Sequence, residues 1–467
     1  MKGDLLELIS PIDGSVYAAR PATSREGVSA MIARARHAQR DWRERPLAER
    51  TEIIDSAYAR LEQDSAELAV ELAWQMGRPV SQGGGEIART AERARAMLAV
   101  AKASIAEVAI APGRSITWEP VGLVLVIAPW NYPWLTATNS VVPALASGNA
   151  VILKHSFQTA VVAERMITAL EEAGLPPGVL QSLHCTNETT LDTVSRRAFG
   201  RIIFTGSVAV GQLVASAAAP GFTPVTLELG GKDAAYVRAD ADLEHAIENL
   251  ADGAFFNSGQ SCCGIERIYV ARPLFDDFVD GLARHARLLK LGNPLETATS
   301  IGPLARPEGA GTVRSQIAAA EAAGARRVLG GPTGNGNYVA PEILVGVDHE
   351  MAIMREESFG PVVGVMAVDG DVEAEQLIND SRFGLTASIW TCDDASARAL
   401  GRRLEVGTVY QNRCDYLDPR LPWSGRGDSG AGLSLSHLAY ASFNRPKSCL
   451  SESVAARVQA PQPAAAS

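Results

Sequence analysis

From Ile116 onward the chain alternates: short, wholly apolar runs give way to stretches of helical periodicity and then return. Val121 to Ala128 is an unbroken run of strand length, Ser140 to Ala146 belongs to a helix, and Ala150 to Lys154 is the next strand. Thr159 to Glu172 reads as a helix closed by Gly174 and Pro176, and the pair repeats as Arg201 to Phe204 and Val208 to Ala218. Strands apolar on both faces and separated by helices form a parallel sheet covered on both sides. A second cycle follows Gly231: helix from Asp242 to Phe256, strand from Ile265 to Val270, helices from Pro273 to Leu289 and Gly311 to Ala323, then Arg327 to Gly331 as strand and turn. A chain of 467 residues exceeds one ordinary core. The expected fold class is therefore α/β, with two doubly wound α/β domains meeting near residue 230 and the chemistry in the cleft between them.

The N-terminal part reads as scaffold. Ser10 to Ser15 is turn chemistry for an entry hairpin, and Val28, Met31, Ile32 and Ala35, then Ile53, Ala57, Leu61 and Leu68, recur at helical spacing. Ser24 and Pro46 mark helix starts, and Gly83-Gly84-Gly85 reads as a flexible joint before the next helix. A net charge of −10 without a basic patch argues against nucleic acid or an anionic membrane surface as partner. The longest apolar stretch, Val121 to Trp130, is about half of what a membrane helix needs. Acidic residues at Asp4 and Glu7 interrupt any export segment, so a cytoplasmic location is expected. Six cysteines without CxxC or regular spacing fit reduced thiols, with no metal site expected.

Two stretches carry chemistry. In Phe255-Phe256-Asn257-Ser258-Gly259-Gln260-Ser261-Cys262-Cys263-Gly264 two cysteines follow a polar, loop-like run, and either Cys262 or Cys263 is a candidate thiolate nucleophile; the alternative is a pair of small buried apolar side chains. In Val225-Thr226-Leu227-Glu228-Leu229-Gly230-Gly231 one carboxylate stands in an apolar run before a Gly-Gly turn, as a general base with a raised pKa or as an ion-pair partner.

With Leu227-Glu228-Leu229-Gly230-Gly231-Lys232, Gly259-Gln260-Ser261-Cys262, Pro129-Trp130-Asn131-Tyr132-Pro133, Phe204-Thr205-Gly206-Ser207 and Glu356-Glu357-Ser358-Phe359-Gly360-Pro361 in that family's order and separations, the chain resembles the aldehyde dehydrogenase superfamily over nearly its whole length. The resemblance implies that Cys262 attacks the aldehyde, that Asn131 and the Cys262 backbone N–H receive the oxyanion, and that Glu228 activates water to release a thioester. It places a dinucleotide against Ile127, Pro129, Trp130, Lys154, Gly206, Ser207, Gly211, Leu229, Gly230, Glu357 and Phe359, and an aromatic substrate wall at Tyr132, Trp134, Phe256 and Tyr416. Asp415 and Asp418 point to a cationic aldehyde and Arg413 to an acidic one. Two departures stand out. Lys154-His155-Ser156-Phe157 lacks the carboxylate that grips the adenosine ribose, so NAD is expected with NADP admissible; and Pro422-Trp423-Ser424-Gly425 replaces the family's usual loop. The implied domains are 1–103 and 122–230 for a Rossmann-like dinucleotide domain, 231–442 for the catalytic domain, 104–121 and 443–454 for a small β oligomerisation arm, and 455–467 as a disordered tail. The implied partners are a small-molecule aldehyde and further copies of the chain, as a homodimer or a tetramer of dimers. The alternatives are a CoA-acylating relative and a non-catalytic binding protein of the same fold.

Overall fold

The computed structural model describes residues 5–331 and 336–451. The first large sheet has six strands in the spatial order Gly430–Ala431, Val225–Glu228, Arg201–Thr205, Leu123–Ala128, Ala150–His155 and Leu180–Ser182. All pairings are parallel except that of Gly430–Ala431. Every residue of Leu123–Ala128 is buried, as its unbroken apolar run requires. From this strand the chain winds outward through 150–155 and 180–182, then returns to 201–205 on the other side. That reversal is a topological switch point, and it opens a crevice beyond the carboxyl ends of Leu123–Ala128 and Arg201–Thr205.

The second large sheet runs Arg326–Leu329, Glu342–Val345, Val362–Val368, Ile265–Ala271, Asp233–Val237, Thr386–Trp390 and Thr408–Gln411, parallel apart from the first strand. It meets the first sheet with opposite polarity. Gly230-Gly231, Cys262-Cys263 and Glu357-Ser358-Phe359 lie just before three of its strands, so its amino edge faces the carboxyl edge of the first. Loops from both sheets therefore converge on one seam.

Helices Arg25–Glu44, Leu47–Gln63, Ser65–Met76 and Val80–Ser104 form the N-terminal scaffold. Ser24 caps the first, its hydroxyl accepting the Gly27 N–H at 3.1 Å. The triple glycine is not a joint: Gly83, Gly84 and Gly85 lie inside Val80–Ser104. A Cβ on Gly83 would stand 2.7 Å from that of Ala69, so at this position close packing against the preceding helix offsets the propensity cost of about 1 kcal/mol, whereas Gly84 and Gly85 face open space. A second difference concerns residues 423–442, expected within 231–442, and Phe443, expected in the arm. Trp423, Leu435, Tyr440 and Phe443 pack into the core beneath the first sheet with Trp42, Tyr58 and Val141, and Gly430–Ala431 adds its edge strand. The chain thus returns to its first half before leaving the second.

Asn444–Leu450, Arg114–Pro120 and Val108–Ala111 form a separate antiparallel sheet from the two segments expected to make an arm. The expected tail at 455–467 and the end of the arm lie outside the described residues. Among the described residues no helix is long and apolar enough to cross a membrane.

Candidate active site

The cysteine loop is held by groups far away in the sequence. After helix Leu243–Phe255 the chain turns through Asn257, Ser258 and Gly259, with φ of 53°, 58° and 69°. Three successive left-handed residues, two of them not glycine, persist only when their surroundings over-determine them. Asn257 donates through Nδ2 to the Asn131 carbonyl (3.1 Å) and to the Gln260 carbonyl (3.2 Å). Ser258 Oγ donates to the Gly302 carbonyl (3.0 Å), and a Cβ on Gly259 would lie 2.3 Å from the Gly360 carbonyl oxygen. Gln260 is fixed by the Ala305 N–H, donated to its Oε1 at 2.9 Å.

Arg78, which the sequence reading passed over, ties this loop to Asn131. Fully buried, it donates from Nε to Asn257 Oδ1 (3.0 Å) and from Nη2 to the Asn131 carbonyl (2.8 Å), and it is ion-paired with Glu86. Glu86 in turn accepts the Trp134 N–H at 3.0 Å at the start of helix Pro133–Ala146. Arg78→Leu strands Glu86 as a buried unpaired charge and is expected to cost about 3–5 kcal/mol. Urea unfolding measures it, and a loss under 1 kcal/mol would show that the pair does not hold the loop.

The two cysteines differ sharply in setting. Cys263 is buried, its thiol donating to Asp415 Oδ1 at 2.9 Å, and Ser261 Oγ donates to the same oxygen at 2.8 Å. Its hydrogen bond to Cys262, which the protonated thiol donates, then burial and the Asp415 charge, push the Cys263 thiol well above its ordinary value. Cys262 is only half-buried and, like Cys263, borders a cavity of about 410 Å³, together with Tyr132, Leu135, Phe256 and Tyr416. Trp134, expected on this wall, is 1% exposed and belongs to the core of the first sheet; Leu135 takes its place. Arg413 lies over the Tyr416 ring at 3.5 Å, Asp418 pairs with Arg420, and Asp415 turns inward to the cysteine loop.

Asn131 follows the central strand, buried, with Nδ2 donating to the Gln260 carbonyl at 3.2 Å. An amide nitrogen carries two N–H groups, so one stays available beside the cysteine loop. Glu228 ends its strand in the same seam, though not on the wall of the 410 Å³ cavity. It is 8% exposed, with Oε1 unpartnered, Oε2 3.4 Å from Thr205 Oγ1, and its pKa raised by burial. Ser429 pins the following turn: its carbonyl accepts the Leu229 N–H (3.0 Å) and its Oγ donates to the Gly230 carbonyl (2.8 Å).

On the other side of the cysteine loop, Gln260, Trp130, Phe359, Leu304 and Arg306 line a second cavity of about 280 Å³. Trp130 and Phe359 meet edge to face at 5.5 Å. A buried pair, Lys232 with Glu266, fixes Phe359, since Glu266 also accepts the N–H groups of Ser358 (2.8 Å) and Phe359 (2.9 Å). Glu357 accepts the Gly231 N–H at 3.1 Å and is pushed up to about 7 by burial and then by Glu266. The need for glycine here is local: a Cβ on Gly230 would meet Glu357 Oε1 at 2.3 Å, and one on Gly231 the Cys262 carbonyl at 2.6 Å.

The switch-point crevice fits a dinucleotide. Gly206 and Ser207 lead into helix Val208–Ala218, and the Ser207 hydroxyl makes no capping bond, which leaves it and the first N–H groups free for a pyrophosphate. A Cβ on Gly211 would come within 2.6 Å of Leu229, so these two residues set how closely helix and strand pack. Ile127 and Leu229 are buried beneath, while Pro129 and Lys154 are half-buried at strand ends; burial pulls the Lys154 ammonium below its usual value.

Comparisons agree with this architecture. The profile of the aldehyde dehydrogenase family matches residues 2–449. Succinate semialdehyde dehydrogenase [NAD(P)+] Sad of Escherichia coli (strain K12) is 32% identical over 93% of this chain and 95% of its own. The 2-aminomuconic 6-semialdehyde dehydrogenase of Pseudomonas sp is 34% identical over 91% of this chain and 90% of its own. Among solved structures, the NAD-dependent aldehyde dehydrogenase from Sinorhizobium meliloti superposes with a TM-score of 0.92 at 31% identity, covering 98% of this chain and 93% of that one. The chain therefore belongs to the aldehyde dehydrogenase family, and it is an NAD(P)-dependent oxidoreductase that converts an aldehyde to a carboxylic acid.

Proposed function

We propose that Cys262 is the nucleophile, with Asn131 and Glu228 completing its chemistry. The observation that carries this assignment is the asymmetry of the vicinal pair: both cysteines border the cavity, but Cys262 is half-buried there, while Cys263 is buried with its thiol on the Asp415 carboxylate. The thiolate forms an S–C bond as the carbonyl π bond breaks, and the oxyanion is received by the free Asn131 N–H and the Cys262 backbone N–H. The nicotinamide, when bound beside Trp130, Phe359 and Glu357, supplies the two-electron oxidation that leaves an acyl thioester on Cys262. Glu228, through its unpartnered Oε1, takes a proton from water as the C–O bond forms and the C–S bond breaks. In sum, RCHO, water and NAD(P)+ give RCOO−, NAD(P)H and two protons. A CoA-acylating enzyme would leave that orphaned carboxylate oxygen without a task. Following absorbance of the reduced nucleotide with a panel of aldehydes, with and without CoA, tests the reading: turnover only with CoA would overturn hydrolysis.

The first sheet and its helices serve as the dinucleotide domain and the second as the catalytic domain. NADP acceptance is supported at the Lys154 strand end. Phe157 packs edge-on against His184 at 5.8 Å and presents no carboxylate, while exposed Arg306 reaches Ser156 Oγ at 3.4 Å. Arg306→Ala is expected to weaken NADPH about tenfold more than NADH, as loss of a charge-assisted contact does. Phe157→Glu should move preference toward NAD. Nucleotide fluorescence titration measures both, and an unchanged ratio in both variants would remove the inference. The arm exposes Val108, Ile110 and Leu450 along strands with an open edge, which supports pairing with a second copy as a dimer or a tetramer of dimers. Six free cysteines support a reducing, cytoplasmic setting.

A further inference from the structure

Four arginines are buried among the described residues: Arg50, Arg78, Arg93 and Arg267. Three are satisfied by the protein. Arg78 has Glu86, Asn257 and the Asn131 carbonyl; Arg50 has the carbonyls of Ala146, Arg43 and Arg45; and Arg267 has those of Lys232, Leu377 and Ile378. Arg93 is different. It is 7% exposed, and its one hydrogen bond runs from Nη1 to Asn139 Oδ1 at 3.0 Å. No carboxylate lies within ion-pair distance of it among the described residues, and the rest of its donor fork is unengaged.

This guanidinium lines the cavity into which Cys262 faces. It projects from helix Val80–Ser104 across to Asn139 on helix Pro133–Ala146, and the latter helix also supplies Leu135 and Thr136 to the wall. Burial holds its pKa down at about 10, so it stays charged at neutral pH; Glu228 is the strongest of the neighbouring charges that favour this state. A buried charge with one neutral partner is costly unless a ligand supplies the counter-ion. The acidic groups of the same cavity do not fill that role. Asp415 is taken by Ser261 and Cys263, while Asp252 and Glu92 are exposed to solvent and neither pairs with Arg93.

We propose that Arg93 receives a carboxylate on the substrate, so that the preferred aldehydes carry an acid group at the end remote from the carbonyl. The proposal rests on the aldehyde oxidation argued above and deepens it, because the guanidinium fork matches a carboxylate and has no other occupant. It makes Arg93 a specificity residue, not one that acts on the reacting bonds.

The test compares 4-oxobutanoate with the neutral pentanal and the cationic 4-aminobutanal, in the wild type, Arg93→Met and Arg93→Lys. The wild type should favour 4-oxobutanoate over pentanal in kcat/KM, and Arg93→Met should reduce that ratio about 10- to 100-fold, the range for a hydrogen bond to a charged group. Arg93→Lys should keep part of the preference. A second readout needs no turnover: millimolar succinate should raise the Tm of the wild type and not that of Arg93→Met. Equal ratios in wild type and Arg93→Met, a preference for pentanal or 4-aminobutanal, or no succinate shift in the wild type would each overturn the proposal. Succinate protection that depends on Arg93, in an enzyme that oxidises none of the three aldehydes, would instead keep the anion site and remove the reaction.

Discussion

Cys262→Ser is expected to lower kcat by on the order of 10³-fold or more, whereas Cys263→Ala lowers it less than about tenfold. Both residues sit on one loop, and a rigid account of that loop would treat them alike. The cavity does not. Both cysteines border it, but only Cys262 is half-buried, and the Asn131 amide is held two peptides away on the Gln260 carbonyl. Cys263 donates its proton to Asp415, and ionising it would place a thiolate against a carboxylate oxygen 2.9 Å away. Its removal costs one buried hydrogen bond, about 1 kcal/mol, and no step of the chemistry. Steady-state turnover measures the first effect, and peptide mapping after iodoacetamide identifies the reactive thiol. Equilibrium binding of NADH should survive both changes, since Trp130 and Phe359 lie on the far side of the loop. A labelled Cys263, or an active Cys262→Ser enzyme, would transfer the role to the neighbour.

Much of this arrangement was legible in the chain itself, where short-range physics decides. An apolar run with no alternation, Leu123–Ala128, had to be a strand buried on both faces, and the helical stretch from Val208 to Ala218 coincides with the helix formed there. What stayed hidden depends on contacts across long separations. Asp415 finds Cys263 across 152 positions and Arg78 finds Asn257 across 179, and no local pattern marks either pair. The return of residues 423–443 to the first core is hidden for the same reason. One error was avoidable. Once Pro133 is taken as the first helical residue, Tyr132, Leu135, Thr136 and Asn139 fall on one face at spacings of three, four and seven, and Trp134 on the other. The structure follows that spacing: the first three line the cavity, Asn139 holds Arg93, and Trp134 fills the core.

Glu228→Gln is expected to leave the first oxidation intact and to stall the second half of the reaction. Gln keeps the shape of the side chain and can still accept from Thr205, so the strand end and the Gly230 turn pinned by Ser429 stay in place. What is lost is the ability to take a proton from water, a contribution of about 10²–10⁴ in rate. Mixing the variant with aldehyde and nucleotide should give a burst of about one reduced nucleotide per active site followed by slow turnover. Intact mass would then rise by the acyl group. The pH dependence carries a sign. Burial raises the Glu228 pKa, so the protonated, inactive form persists to higher pH than for an exposed carboxylate, and hydrolysis accelerates as pH climbs through that raised value. Gln at this position should flatten that limb. A variant that turns over at the wild-type rate, with the acidic limb unchanged, would mean that the orphaned oxygen of Glu228 is a structural residue of burial and that another group deprotonates the water.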